Sequence, residues 1–384
     1  MSVWKFALLA FAVLMLASCG APVEAQKPTI GMILVGPKND GGWSQAHYEA
    51  MKQVEAEENV TFIYVDKVNP ADRPNVSAEK VASELISQGA TMIIANSDDF
   101  KDSIREAAVN YPNVSFLHAS GDDVMTGKAP ANLGNMMGQM EYGKMIAGCA
   151  AALESNTGKI AYVGPLINDE TRRLVNAAYL GAQYCWTSYK AQDPALLRFS
   201  VKWIGFWFNI PGVTLDPTLV INDYITQGYD VIMSGIDTPE VVTEVAKAHA
   251  SGKAVKSIPY DFKGACDKGP APCIGVPYFN WYPEYKKMVQ AHIAGTWKPG
   301  FVLFGPNFAD LNNHDTSGIG FMMGAGLTQT KSLGMFLTAL KDGLNLWTGP
   351  LMYKDGSTFI PAGATGDTKT VWYQTQLLKG IDGQ

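Results

Sequence analysis

The sequence predicts an α/β protein built from two lobes, each with a parallel sheet covered by helices. Three observations carry this expectation. Short, continuously apolar runs alternate with segments of helical spacing, the pattern of a sheet buried on both faces. The alternation comes in two comparable series. The length of 384 residues also exceeds one ordinary domain, at roughly 100 to 200 residues per domain.

The first series has β-rich runs at residues 29–35, 61–68, 91–97 and 114–120, separated by helical spacing at 43–56, 75–88 and 100–110. The second predicts helix 140–154, strand 159–164, helix 170–184, strand 201–206, helix 217–227, strand 230–235 and helix 238–250. Strands at 254–259 and 273–278 and a helix over about 283–295 follow. Residues 300–384 are rich in Gly, Asn and aromatic residues, and read as one helix at about 330–342 plus a terminal hairpin or loop region. A ligand would sit where the strand carboxyl ends of the two lobes face each other.

Composition narrows the function. With 47% hydrophobic and 17% charged residues the chain is globular rather than disordered. Its net charge of −6 argues against nucleic acid as a partner, because phosphate neutralisation needs clustered Lys and Arg. A nucleobase or nucleoside carries no phosphate and stays open as a ligand.

The first residues read as an address. Lys5 precedes the apolar run Phe6 to Ala17, too short for a membrane span and right for an export signal. The run ends in Leu16-Ala17-Ser18-Cys19-Gly20, which resembles the lipobox of bacterial lipoproteins, with Cys19 as the lipidated residue. A plain secretory signal cut near Ala25 is the alternative. Residues 1–18 are then the signal peptide and 19–28 a flexible tether. Of the remaining cysteines, Cys266 and Cys273 bracket DKGPAP, a short loop suited to a disulfide outside the cytoplasm. Cys149, in the small-residue run AGCAAAL, reads as a buried helical cysteine, with pairing to Cys185 the lesser alternative. The five histidines and the cysteines show no metal-binding spacing, and no cofactor is expected.

Catalytic motifs are absent: there is no GxGxxG, GxxxxGK[ST] or GxSxG. The strongest local signal is GPKNDGGWSQAHYEAM, residues 36–51, after the first strand. Gly41 and Gly42 allow close backbone approach, Asp40 is placed near a helix N-terminus and Trp43 projects at the rim. The plainer reading is a helix-capping Asp40 followed by a packed Trp43. Comparable positions recur at strand ends: Ser97, Asp98 and Phe100; Trp207 and Phe208; Asp237; Asp261 and Phe262; Asn280 and Trp281. Each alone is more often structural, but their repetition points to a flat heterocycle. Aromatic faces stack on such a ring, and Asp or Asn bonds its edges or a sugar hydroxyl.

These segments resemble a known family. The 36–51 loop, IIANSDDFKDSIREAAVNYPNVSFLHASG (93–121), MGQMEYGKMIAGCAAAL (137–153), KWIGFWFNIPG (202–212), SGIDTPEVV (234–242), the run 258–289 and WTGPLMYKDGSTFIPAG (347–363) look like the basic membrane protein family. Its members are lipoprotein substrate-binding components of ABC importers. The resemblance implies a type I periplasmic-binding-protein fold, with two parallel-sheet lobes joined by crossing strands. On this basis residues 29–133 with 258–305 form the N-terminal lobe, and 134–257 with 306–384 the C-terminal lobe. It further implies a purine nucleoside or base as ligand, an ABC permease as partner, and a lipid anchor on the membrane facing the periplasm or cell exterior. Trp43 and Trp207 or Phe208 would be the stacking faces, Asp40 and Asp237 polar contacts, and Asp261 a hydroxyl or ring-edge acceptor; Ser97, Phe100 and Trp281 complete the expected set. Gln139 stands where similar chains can carry Arg. The competing expectation from a different class is a secreted nucleoside- or glycan-acting hydrolase using carboxylates such as Asp40 and Asp261.

Overall fold

The computed structural model describes residues 27–383; the signal segment and Cys19 lie outside them. The elements run β1 (Thr29–Ile33), α1 (Trp43–Glu57), β2 (Thr61–Val65), α2 (Ala78–Ser87), β3 (Ala90–Ala95), α3 (Lys101–Asn110), β4 (Ser115–Ala119), α4 (Asp123–Thr126), β5 (Leu133–Gly138) and α5 (Met140–Glu154). They continue with β6 (Lys159–Gly164), α6 (Asp169–Ser188), β7 (Arg198–Trp203), α7 (Pro217–Thr226), β8 (Val231–Ser234), α8 (Glu240–Ala250), β9 (Lys256–Ile258) and β10 (Gly275–Phe279). Last come α9 (Tyr282–Ile293), β11 (Phe301–Phe304), β12 (Ile319–Met323), α10 (Thr330–Lys341), β13 (Leu351–Met352), β14 (Thr358–Ile360), α11 (Thr368–Trp372) and β15 (Ile381–Asp382).

Two parallel sheets form, in the orders β11-β5-β4-β3-β1-β2 and β15-β7-β6-β8-β9. Their strands are continuously apolar because helices cover both faces: Ile30, Met32 and Ile33 of β1, and Ile160, Tyr162 and Val163 of β6, are all but inaccessible. Between the sheets runs the antiparallel pair β10–β12. Its Phe279 and Ile319 join the core of the first sheet, and Phe321 joins that of the second. The chain also crosses at Gln139, whose N–H bonds the Phe304 carbonyl at 2.7 Å.

The differences from expectation have local causes. β5 belongs wholly to the first sheet, so the first crossing falls after Gly138 rather than after Leu133. β7 starts three residues earlier than read and ends at Trp203, which leaves Ile204 to Phe208 in a loop. Cys149 is indeed buried in α5, but it is bonded to Cys185 of α6 across 36 residues, correcting the unpaired reading. These helices touch closely: a Cβ at Gly148 would meet the Ala178 carbonyl oxygen at 1.8 Å, and one at Gly181 the Met145 carbonyl oxygen at 2.0 Å. Cys266 and Cys273 form the second disulfide.

Candidate ligand-binding site

A narrow cavity, with about 20 Å³ open to the centre of a water-sized sphere and about 430 Å³ of empty space when the solvent at its mouth is counted, lies between the carboxyl ends of the two sheets. The first sheet contributes Trp43 after β1, Ser97 and Asp98 after β3, and Ser120 after β4. The second contributes Glu170 at the start of α6, Trp207 after β7, Asp237 after β8 and Tyr260 after β9. Strand carboxyl ends are where an open parallel sheet leaves crevices, since each chain must turn there into its covering helix.

Four of the nine expected residues therefore meet on one cavity: Trp43, Ser97, Trp207 and Asp237. The two lobes touch beside them. A Cβ on Gly42 would lie 1.8 Å from the Asp237 carbonyl oxygen, and one on Gly41 would lie 2.9 Å from Lys268 Cε in the Cys266–Cys273 loop. Gly41, with φ of 79°, also occupies the left-handed region that favours glycine.

The other five lie elsewhere. Asp40 caps α1: Oδ1 accepts from the Gly42 and Gln45 N–H groups at 2.9 and 3.0 Å, and Oδ2 from Ser44 N–H at 2.9 Å. Burial pushes its carboxyl up to about 6 against those donors. Phe100 is packed in the first core, and Trp281 is fully buried there, stacked against His47 and Phe279. Phe208 meets Phe206 edge-on at 5.0 Å and leans on the first core from across the cleft. Asp261 is fully buried behind the cavity wall at φ 70°, and neither carboxyl oxygen has a hydrogen-bond partner among the described residues. Aromatic and acidic residues at strand ends serve core and caps as readily as ligands, which is why the sequence did not separate these groups.

The site is acidic, and its carboxyl groups are largely buried. Asp237 is held well above the usual carboxylate range by burial and by the nearby Asp261 and Asp40. Asp261 is raised for the same reason, opposed by Lys144. Glu170 is pushed up to about 7 by burial, with Arg173 opposing, and Asp98 is raised by burial. The counter-charge is Lys144 of α5, buried, donating to the Ser234 carbonyl at 2.7 Å with Nζ 3.2 Å from the Tyr260 ring centre. Burial takes its pKa well below that of a free lysine. Such a site favours an uncharged ligand with hydrogen-bond donors and disfavours an anion.

Trp43 is a wall more than a rim. It is 7% exposed, its Nε1 donates to the Asn96 carbonyl, and it meets His47, Phe279 and Trp281 edge-on at 4.6, 5.2 and 5.3 Å. Sequence reasoning missed Ser120, Tyr162, Glu170 and Tyr260, all on the cavity. Strand-end logic applied to KIAYVG and VSFLHAS points toward Glu170 and Ser120; Tyr162 lies inside a strand and carries no such signal.

The family model described as ABC transporter substrate-binding protein, PnrA-like (Bmp), matches residues 27–191. That match takes in β1 to β5 of the first sheet and the start of the second. It is 28% identical over 375 residues to a purine-binding protein of Brucella abortus (strain 2308), covering 94% of this chain and 95% of that one. A putative ABC transporter glucose-binding protein of Haloferax volcanii is 25% identical over 280 residues, or 73% of this chain and 64% of the relative. Among solved structures, an ABC transporter solute-binding protein of Aeropyrum pernix K1 superposes with a TM-score of 0.61 at 15% identity, covering 83% and 87% of the two chains. That likeness bears on fold alone, and it agrees with the type I periplasmic-binding-protein architecture expected from the sequence. The family model and the Brucella relative are thus both of binding proteins, and neither is described as a hydrolase. No described helix is long and apolar enough to cross a membrane.

Proposed function

We propose that the protein captures a purine base or nucleoside in the cavity between its lobes and delivers it to an ABC permease. Trp43 forms an aromatic wall for the ring, and Trp207, which lines the cavity, turns its indole edge toward it. Asp237, with Glu170 and Asp98, accepts from ring-edge N–H groups or sugar hydroxyls, and Ser97 adds a hydroxyl. The lobes close on the ligand, whose greater affinity for the closed arrangement supplies the drive. Cys19, through its acyl chains, tethers the receptor to the membrane. The observation that carries the reading is the convergence of two indoles and three carboxyl groups on one cavity with no Lys or Arg among its lining residues. The purine-binding relative supports it.

Mass spectrometry of small molecules released by denaturing the purified protein, paired with calorimetry against adenine, guanosine and glucose, tests the proposal. Purine release or stoichiometric purine binding without turnover is expected. Glucose binding with no response to any purine would overturn it. Metabolic labelling with palmitate tests the anchor: label lost in Cys19→Ser is expected, and label retained would refute the assignment.

A further inference from the structure

The two indoles on the cavity differ in one respect. Trp43 has spent its N–H on the Asn96 carbonyl, so it offers the ligand only apolar surface. Trp207 has not: its Nε1 is buried and has no hydrogen-bond acceptor among the described residues, although its ring lines the cavity. Its backbone is fixed, because the Trp207 carbonyl accepts from the Asp237 N–H at 2.9 Å. A buried N–H without an acceptor is costly, and binding an acceptor there removes the cost, whereas a ligand lacking one leaves it standing. Such a group discriminates between ligands of equal shape more strongly than a stacking face, to which all flat rings look alike. The carboxyl groups of Asp237 and Glu170 are acceptors when ionised and offer an O–H only when protonated, whereas the Trp207 N–H is a donor at every pH.

We propose that Trp207 is a specificity-determining hydrogen-bond donor, its indole N–H pairing with a ring nitrogen or carbonyl oxygen on the ligand. This rests on the purine reading of the cavity. The site therefore selects heterocycles that present an acceptor toward Trp207 and donors toward the carboxyl groups. A carbocyclic or deaza ring of the same outline is rejected.

The test replaces Trp207 by β-(3-benzothienyl)alanine, which keeps the bicyclic face and puts sulfur in place of N–H. Wild type and variant are titrated with adenine, hypoxanthine and the 1-, 3- and 7-deaza analogues of each, and the same replacement at Trp43 serves as control. Wild type is expected to bind a purine and to lose about tenfold or more on one deletion of an acceptor, about 1.4 kcal/mol per tenfold. The Trp207 variant is expected to lose a similar factor for the parent purine and nothing further for that analogue, a non-additivity that marks a direct contact. The Trp43 replacement should leave the analogue ranking intact. A Trp207 variant with wild-type affinities and ranking would overturn the inference while leaving the purine reading standing. A wild type that binds no member of the panel would overturn both.

Discussion

A methyl group at Gly42 would hold the two walls of the cavity apart. Its Cβ would lie 1.8 Å from the Asp237 carbonyl oxygen and 2.6 Å from the carbonyl carbon, where carbon and oxygen ordinarily approach to roughly 3.3 Å. Both partners are backbone, and Asp237 is held by the Trp207 carbonyl, so the clash is relieved only by parting the loops, by about 1.5 Å. A ligand then keeps one wall and loses the other. That forfeits roughly 1 to 3 kcal/mol of stacking and about 1 kcal/mol for a hydrogen bond. The expected loss is about 2 to 4 kcal/mol, on the order of 30- to 1,000-fold in Kd. Neither core contains the contact, so Gly42→Ala without ligand should melt within about 4 °C of wild type. Calorimetric titration with adenine, run beside thermal melts with and without it, reads both quantities. Binding within threefold of wild type would show that the Gly42–Asp237 contact is not part of the bound state, and the closing-lobe reasoning would fail.

Other expectations follow from the same geometry. Trp43→Ala should weaken purine binding at least tenfold and also destabilise the fold by roughly 3 to 5 kcal/mol, since Trp43 is core as well as cavity wall; denaturant melting and titration together check this, and wild-type values in both would remove Trp43 from both roles. Glu170, raised to about 7, accepts ring N–H groups best when ionised. Affinity for a ligand that does not itself titrate should therefore fall about tenfold from pH 8 to pH 6, and Glu170→Gln should flatten the profile; an unchanged slope in the variant would exclude Glu170. The same raised pKa makes this group's contribution to folding stability present below about 4.5 and lost as pH rises through about 7, a trend that denaturant midpoints against pH would reveal through its disappearance in Glu170→Gln. Alkylation without reductant should leave Cys149, Cys185, Cys266 and Cys273 unmodified, and reduction should cost more through the 36-residue Cys149–Cys185 separation than the 7-residue Cys266–Cys273 one, about 4 against about 2.5 kcal/mol; two labelled thiols in either pair would contradict the assignment.

The alternating strands and helices of the two series were legible because β-branched runs and amphipathic spacing are local signals. β5 was not: LGNMMG holds two glycines and an asparagine, and only pairing with β4 and β11 makes it a strand. β11 and β12 escaped for a related reason, since short segments near the crossings owe their structure to tertiary partners. Within the site, loop-end position located Trp43, Ser97, Trp207 and Asp237 but also drew in Phe100 and Trp281, because the same residue types fill cores. Lys144 was invisible. A lysine in a helix reads as solvated, and the burial of Lys144 emerges only when α5 packs beside β8 and the Tyr260 segment that follows β9.

A crystal structure of the protein saturated with adenine tests the central claim most directly. The ring is expected between Trp43 and Trp207, one edge toward Asp237 and Glu170, with Gly42 still against Asp237. A ring seated elsewhere, for instance in the separate cavity beside Trp281 and His314, would contradict the account.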